Sequence, residues 1–558
     1  GWCDGNVGMM GISWGGFNSL QVAALRPVAL KAVISIGSTV DRYNDDIHYK
    51  NGCLLSSNFN WSSVMLCYAS RPPDPELVGA RWSEMWLQRL KTQPFPLQTW
   101  LQHQRKDGYW KHGSISEDYS AVTIPALVIS GWADGYLNAP PAAAANLSHH
   151  CKAINGPWIH KYPHFAWPKP RLDFSGEAIR WWDHWLKGID NGAGALPAYR
   201  AYICEDVKPS LRREKDCGRW VAESEWPSSA ISMQQFYLAE KQQLLDAAGA
   251  TGEISLCSPL DCGTACGEIF ALKPESELPG DQRYDDAGSL LFDTGKLDRP
   301  VEILGRPKLR LRVSVDKPLA NIAARLNDIH PDGTVSRVSW GVLNLAHRHG
   351  NEHPEVMIPA REEIVEIELN ESGYRFLPGH RIRVALSTSY WPMILPPPAL
   401  VTANIKLGAD TVINLPIRTD QGQIEVDEPQ KPDPLPVYKM HQAAENRRWV
   451  ERDLQTGETH YQVIDDTGEE EMPGHGLRTR HYHHDCWSIK SNDPLSCRAT
   501  SRYNSWMRRN NWSIRTESKS SLSCDAENFY IEATVTAYEA DLQVNQRHWK
   551  KTIKRDLM

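Results

Sequence analysis

Val7-Gly8-Met9-Met10-Gly11-Ile12-Ser13-Trp14-Gly15-Gly16 decides how the whole chain is read. A short apolar run leads up to a serine set between glycines, and a helix-like stretch leads away from it to Leu25. Strand, sharp turn and helix in that order are what a G-x-S-x-G elbow demands. Its small residues flank a serine forced into a strained turn, so that the oxygen projects from the sheet edge. The pentapeptide alone is common, and the plain alternative is a serine in an ordinary glycine-rich turn. The strand before it and the helix after it favour a nucleophile at Ser13.

Working outward, Leu30 to Ile36 forms a second buried strand, Ala126 to Ile129 a third, and Ala153-Ile154 the heart of a fourth. Strands alternating with helices predict an α/β fold, a doubly wound parallel sheet covered on both faces. Between the second and third strands, residues of about 42–120 are rich in Trp and Pro and too long for a simple crossover, so they are expected to form an inserted helical cap. Within it, Pro75 and Glu76 open a helix whose Val78, Trp82, Met85 and Trp86 share one face. Core packing is the expected role of most of these tryptophans. A last helix near Ser175 to Lys187 closes a first domain over residues 1–192.

After Gly192-Ala193-Gly194 the rhythm changes to period two. Leu309, Leu311, Val313 and Val315 alternate with Lys308, Arg310, Arg312 and Ser314, and strands follow around Ile364 to Leu369 and Ile382 to Leu386. His330-Pro331-Asp332-Gly333 marks a turn between them. Residues 197–416 are therefore expected to form an all-β, jelly-roll-like sandwich. A linker rich in Pro and acid, Glu425 to Pro436, leads to a β-rich extension over residues 437–558, where Phe529 to Val535 is strand-like.

Composition bounds the function. In 558 residues, 61 basic side chains face 68 acidic ones, and no long basic run marks a nucleic-acid or membrane partner. No apolar run approaches membrane-spanning length. The twelve cysteines mostly sit singly in apolar segments and are expected to be reduced structural thiols. Cys257, Cys262 and Cys266 lack a paired C-x-x-C rhythm, and His481, His483, His484 and Cys486 are better explained by alternation along an exposed strand, so no metal site is expected at either. No signal peptide is visible, and the cytoplasm is the expected location. Self-association to a homo-oligomer is left open.

A serine hydroxyl needs a histidine base, itself oriented by a carboxylate, and in this fold the order along the chain is Ser, acid, His. Asp134, in Gly131-Trp132-Ala133-Asp134-Gly135, directly follows the third strand. His160, in Gly156-Pro157-Trp158-Ile159-His160, directly follows the fourth; His164 lies beyond Pro163 and is not expected to be the base. Alone, each would more often be a surface or capping residue. Together their order and placement point to a triad.

The GISWGG elbow, the GWADGY loop and GPWIH resemble the X-Pro dipeptidyl-peptidase and cocaine-esterase family of serine hydrolases. Ser289-Leu290-Leu291-Phe292-Asp293-Thr294 and Glu302-Ile303-Leu304-Gly305 are similar to the β-sandwich of these enzymes, so the resemblance covers most of residues 1–416. It implies Ser13 as nucleophile, Asp134 as acid, His160 as base and the N–H of Trp14 as one oxyanion donor. In that family a tyrosine hydroxyl from an upstream region supplies the other donor. Only a dozen residues precede the elbow here, so a longer protein with earlier strands is expected, and the chain by itself is expected to be inactive.

The expected reaction is cleavage of an ester or amide, in a small-molecule ester or short peptide, through an acyl-enzyme on Ser13, with no metal or organic cofactor. The alternative is a non-catalytic binding module whose sandwich holds a ligand while the hydrolase domain is silent. Thirteen tryptophans fall in the first 190 residues. Trp14 and Trp132 lie beside catalytic positions, which favours an apolar or aromatic acyl pocket. Asp45 and Asp46, at the start of the cap, are candidates to bind a cationic group such as a free α-amine, against the plainer reading of two solvated loop carboxylates.

Overall fold

The computed structural model describes residues 3–147, 150–420, 422–430 and 437–558. Alternate side chains of strand β2 (Leu30–Ile36) enter different cores: Ala32, Ile34 and Ile36 pack on one side of the sheet, Val33 on the other. A strand buried on both faces reads as a continuous apolar run, and it requires helices above and below. β1 (Val7–Ile12) lies parallel to β2, which is followed in space by β3 (Ala126–Gly131) and β4 (Lys152–Gly156), all parallel. Helix α1 (Trp14–Ala24) packs Leu20 and Ala23 with Val33 and Val128 on one face. The opposite face is covered by Phe174, Ala178 and Trp181 of a helix over Phe174–Lys187. The fold is thus an α/β-hydrolase sheet wound on both sides.

The strand Tyr199–Glu205, expected at the head of the sandwich, continues this sheet: Ala153 pairs in parallel with Tyr199, and Asn155 with Ala201. Its end also pairs in parallel with Ser372–Phe376, so the hydrolase sheet runs directly into the antiparallel strands beyond it. There Lys308–Val315 pairs with Glu363–Glu368, and Asn321–Ile329 lies between Val335–Asn344 and Arg381–Ser387.

The cap departs from the sequence reading at one glycine. Pro75–Val78 is a single helical turn capped by the Asp74 carboxylate, and the regular helix starts only at Trp82, running to Thr92. Gly79 between them has φ of 63°, a left-handed conformation that ends the first turn. Trp86 is buried, yet Met85, placed on the same face by periodicity, is exposed.

Residues 437–558 fold into a nine-stranded sheet, in which Arg478–Lys490, Asp493–Arg509, Trp512–Cys524, Asn528–Glu539 and Leu542–Lys554 form an antiparallel meander. Of the linker, residues 431–436 lie outside the described residues. The meander covers the cap: Phe59, Trp86, Phe95 and Trp110 share one core with Trp487, Ile514, Ile531 and Trp549. His481, His483, His484 and Cys486 sit on a strand paired on both sides, half-buried rather than exposed. His483 stacks on Tyr503 at 4.1 Å, and His484 bonds Gln462 at 2.9 Å, so their rings are engaged within the sheet. All twelve cysteines are free thiols. Among the described residues no helix is long and apolar enough to cross a membrane.

Candidate active site

β1 stops at Ile12 because Ser13 turns the chain, with φ of 61° and ψ of −129°, a strained conformation for a residue with a side chain. Its N–H is held by the carbonyls of Ile36 at 2.9 Å and Gly37 at 3.0 Å, at the end of the neighbouring strand. The glycines of the elbow differ in what they are needed for. A Cβ on Gly11 would stand 2.6 Å from the Gly15 carbonyl carbon, and one on Gly16 would stand 2.7 Å from the Ser38 Cβ. At Gly15 the space is open. The tight crossing therefore needs Gly11 and Gly16, whereas the motif is spelled by Gly11 and Gly15.

β3 delivers Asp134 and β4 delivers His160, because adjacent parallel strands end on the same edge of the sheet. Asp134 Oδ2 accepts from His160 Nδ1 at 2.9 Å, with Oδ1 at 3.1 Å, and both side chains are buried. The loop of Asp134 is fastened to the next strand by Trp132 N–H to Gly156 and Ala133 N–H to Trp158. His160 is fastened from outside the hydrolase sheet, its N–H donating to the Ala271 carbonyl at 3.1 Å. Phe270 from the same segment lies over Gly135, where a Cβ would come within 2.4 Å of its ring, and meets His160 edge-on at 6.0 Å.

Gly37 joins these parts. Its carbonyl binds the Ser13 N–H, its φ is 44°, and a Cβ there would stand 2.7 Å from Asp134 Oδ2 and 2.9 Å from His160 Nδ1. The serine backbone and the buried pair thus abut the same glycine. Because Nδ1 is used by Asp134, Nε2 is left for the serine. Among the described residues no hydrogen bond joins Ser13 to His160, a contact that commonly tightens only with substrate bound. The N–H of Trp14 stands at the first position of α1 and has no acceptor within the helix. His164 is not joined to Asp134; its ring stacks on Phe174 at 5.7 Å.

The remaining candidate residues have partners of their own. Asp45 accepts from Lys50 at 2.9 Å and Asn138 at 2.7 Å. Burial raises its pKa, but Lys50 and Arg306 outweigh this and bring it to about 2. Asp46 pairs with Arg42 and accepts from Tyr136 Oη at 3.0 Å, while burial pushes its pKa up. Neither is a solvated loop carboxylate. The Trp132 indole donates to the Tyr202 carbonyl at 2.6 Å. These residues border a cavity of about 1170 Å³, counted out to bulk solvent, between the hydrolase sheet and Trp340 and Glu371 of the sandwich. Asp134 lines the cavity, and Ser13 and His160 do not. On the serine's side, Trp14 is 54% exposed and meets Trp61 edge-on at 6.5 Å.

Sequence reasoning missed Gly37, Phe270 and Ala271. Gly37 was marked only by closing a strand, and Phe270 and Ala271 carry no motif.

Residues 1–162 match the family model of the X-Pro dipeptidyl-peptidase (S15 family). Residues 191–426 match that of the X-Pro dipeptidyl-peptidase C-terminal non-catalytic domain, and the extension lies beyond both. The chain is similar to a cocaine esterase of Rhodococcus sp., 24% identical over 439 residues, 70% of this chain and 74% of that protein. It is similar to a Xaa-Pro dipeptidyl-peptidase of Lactobacillus helveticus, 21% identical over 65% of this chain and 45% of that one. Among solved structures, an aminopeptidase from a marine sediment Thaumarchaeota archaeon superposes with a TM-score of 0.57 at 19% identity, covering 75% of this chain and 77% of that one. An α-amino acid ester hydrolase does so with a TM-score of 0.56 at 17% identity, covering 74% and 77%. With both family models matched in order along one chain, the protein belongs to the X-Pro dipeptidyl-peptidase and cocaine esterase family of hydrolases.

Proposed function

We propose that the chain cleaves an ester or amide through an acyl-enzyme on Ser13. The observation that carries this is the buried Asp134–His160 Nδ1 bond of 2.9 Å, set against the same glycine that holds the Ser13 backbone. Ser13 Oγ attacks the acyl carbonyl, and His160 Nε2 takes its proton and returns it to the leaving group. Asp134 keeps the Nδ1 proton in place and stabilises the imidazolium as it forms. The negative oxygen of the tetrahedral intermediate is received by the unpartnered N–H of Trp14. Water then attacks the acyl-enzyme by the reverse route.

The substrates that fit this site are carboxylic esters and short peptides with an apolar or aromatic acyl part. Exposed Trp14, its neighbour Trp61, and Phe270 edge-on to His160 support that preference. Trp132 supports it less, since its indole is turned to the Tyr202 carbonyl.

The test, on this chain and on a version extended upstream, is labelling with a fluorophosphonate, followed by turnover of p-nitrophenyl esters and X-Pro anilides. Ser13→Ala should abolish labelling and lower turnover by about 10⁴-fold or more. Labelling that persists in Ser13→Ala would remove the assignment, and labelling of neither version would favour a binding module.

A further inference from the structure

Two imidazoles and a carboxylate meet where the hydrolase sheet gives way to the sandwich. Asp206 directly follows the strand Tyr199–Glu205, His330 follows Asn321–Ile329, and His380 precedes Arg381–Ser387. One ligand atom from each lies within 4.8 Å of the others. His330 Nδ1 is 3.1 Å from Asp206 Oδ1, and His380 Nε2 is 3.9 Å from the same oxygen. Both rings are buried, whereas the Asp206 side chain is 47% exposed, so the group opens to solvent on one side.

The far side of each ring places its proton. Ser336 donates its hydroxyl to the Val207 carbonyl at 2.5 Å, so toward His330 Nε2, at 2.8 Å, it can only accept. His330 Nε2 therefore donates to Ser336, and its Nδ1 faces Asp206. His380 Nδ1 lies 3.0 Å from both oxygens of Asp328, a carboxylate that also accepts from Tyr374 Oη at 2.7 Å. That bond holds a proton on His380 Nδ1 and turns Nε2 toward Asp206. His330 Nδ1, His380 Nε2 and a carboxylate oxygen of Asp206 thus face one another, an arrangement that suits a shared cation. Lys208 Nζ, 4.0 Å from Asp206, is drawn instead to Asp332 at 2.9 Å.

We propose that Asp206, His330 and His380 bind a divalent transition-metal ion of the zinc class. Nitrogen and oxygen ligands at about 2.0–2.2 Å from such an ion stand roughly 3.3 Å apart when tetrahedral, close to the 3.1 Å and a small closure from the 3.9 Å observed. Two histidines, one carboxylate and an open position are a ligand set that suits zinc, with water completing it. The Asp328–His380 pair is the kind of outer carboxylate that orients a ligating histidine. Bound there, the ion ties the strand Tyr199–Glu205 to the paired antiparallel strands Asn321–Ile329 and Arg381–Ser387.

The test uses the full chain, stripped with a chelator and titrated with Zn²⁺ against a competing chelator, with Co²⁺ absorption reporting the coordination. One equivalent of Zn²⁺ should bind with a dissociation constant at or below about micromolar. Asp328→Asn should weaken it by about 10–100-fold. Asp206→Asn, at an exposed side chain that should leave the fold intact by circular dichroism, should weaken it at least as much. Absence of binding in the wild-type chain, or unchanged affinity in folded Asp206→Asn, overturns the proposal; the latter would place the ion at another histidine cluster.

Discussion

Gly37 carries more of the site's geometry than its place in the sequence suggests, because its carbonyl accepts the Ser13 N–H and any Cβ placed on it would run into the Asp134–His160 pair. An added methyl would have to displace the carboxylate or the ring, and a misplacement of about 1 Å can cost about a hundredfold in rate. Gly37→Ala should therefore lower kcat/KM by about 10²-fold or more while the chain stays folded. Gly15→Ala should do neither harm, since its Cβ enters open space and alanine favours a helix by about 1 kcal/mol over glycine. Ester hydrolysis and thermal melts of the two variants check this, and equal losses in both would refute the geometric account. The contrast also shows how far the residues could be read from sequence. Ser13, Asp134 and His160 each follow an apolar run directly, so strand order was enough to bring them forward as candidates. Gly37 ends such a run without a polar group to draw notice, and Phe270 and Ala271 reach the pair from a distant loop through ring and backbone contacts that no side-chain pattern records.

At the level of elements, period and length predicted the parallel strands well, because strands buried on both faces are unbroken apolar runs bounded by turns. They misjudged the cap, where Val78, Trp82 and Trp86 keep helical spacing across a break at Gly79. Periodicity reports which side chains are buried but not what buries them, and the tryptophans of the cap are buried against the C-terminal sheet. Trp487 is the clearest contact: it is buried, meets Phe59 edge-on at 5.7 Å and donates its indole N–H to Asn60 at 3.1 Å, both on the helix Ser56–Ala69. Ser63 on that helix also bonds Ser520 at 2.6 Å. Trp487→Ala removes a large buried ring, at a cost of about 3–5 kcal/mol. Hydrogen exchange should show the helix Ser56–Ala69 losing protection while β2 and β3 keep theirs. Unchanged protection in that helix would mean that the cap stands without the sheet.

Over the whole molecule the extension is no appendage, since one loop connects it to the active site. Ala271 of that loop holds the His160 N–H, and a few residues on, buried Glu277 receives the hydroxyl of Tyr461 from the C-terminal sheet. Arg448 of that sheet reaches the same loop through Glu268 at 2.7 Å. A linker rich in Pro and acid made the two parts look separate in sequence, where nothing reveals that a loop of the sandwich lies between them. Burial is the largest influence on Glu277 and raises its pKa from 4.5 to about 7; the Tyr461 hydrogen bond opposes this and Glu268 adds to it. The sign of the consequence follows from proton counts. Between about pH 7 and 4.5 the folded chain holds a proton on Glu277 that the unfolded chain has released, so stability from this group grows as pH falls through that window and is lost as pH rises through 7. The gap corresponds to roughly 3 kcal/mol. Glu277→Gln keeps an oxygen to accept from Tyr461 and removes the charge, so it should be more stable than the parent at pH 8 by up to that amount and nearly equal at pH 4.5. Urea unfolding of both chains across that range measures the difference. A difference that stays constant with pH would mean that Glu277 does not titrate against the C-terminal sheet.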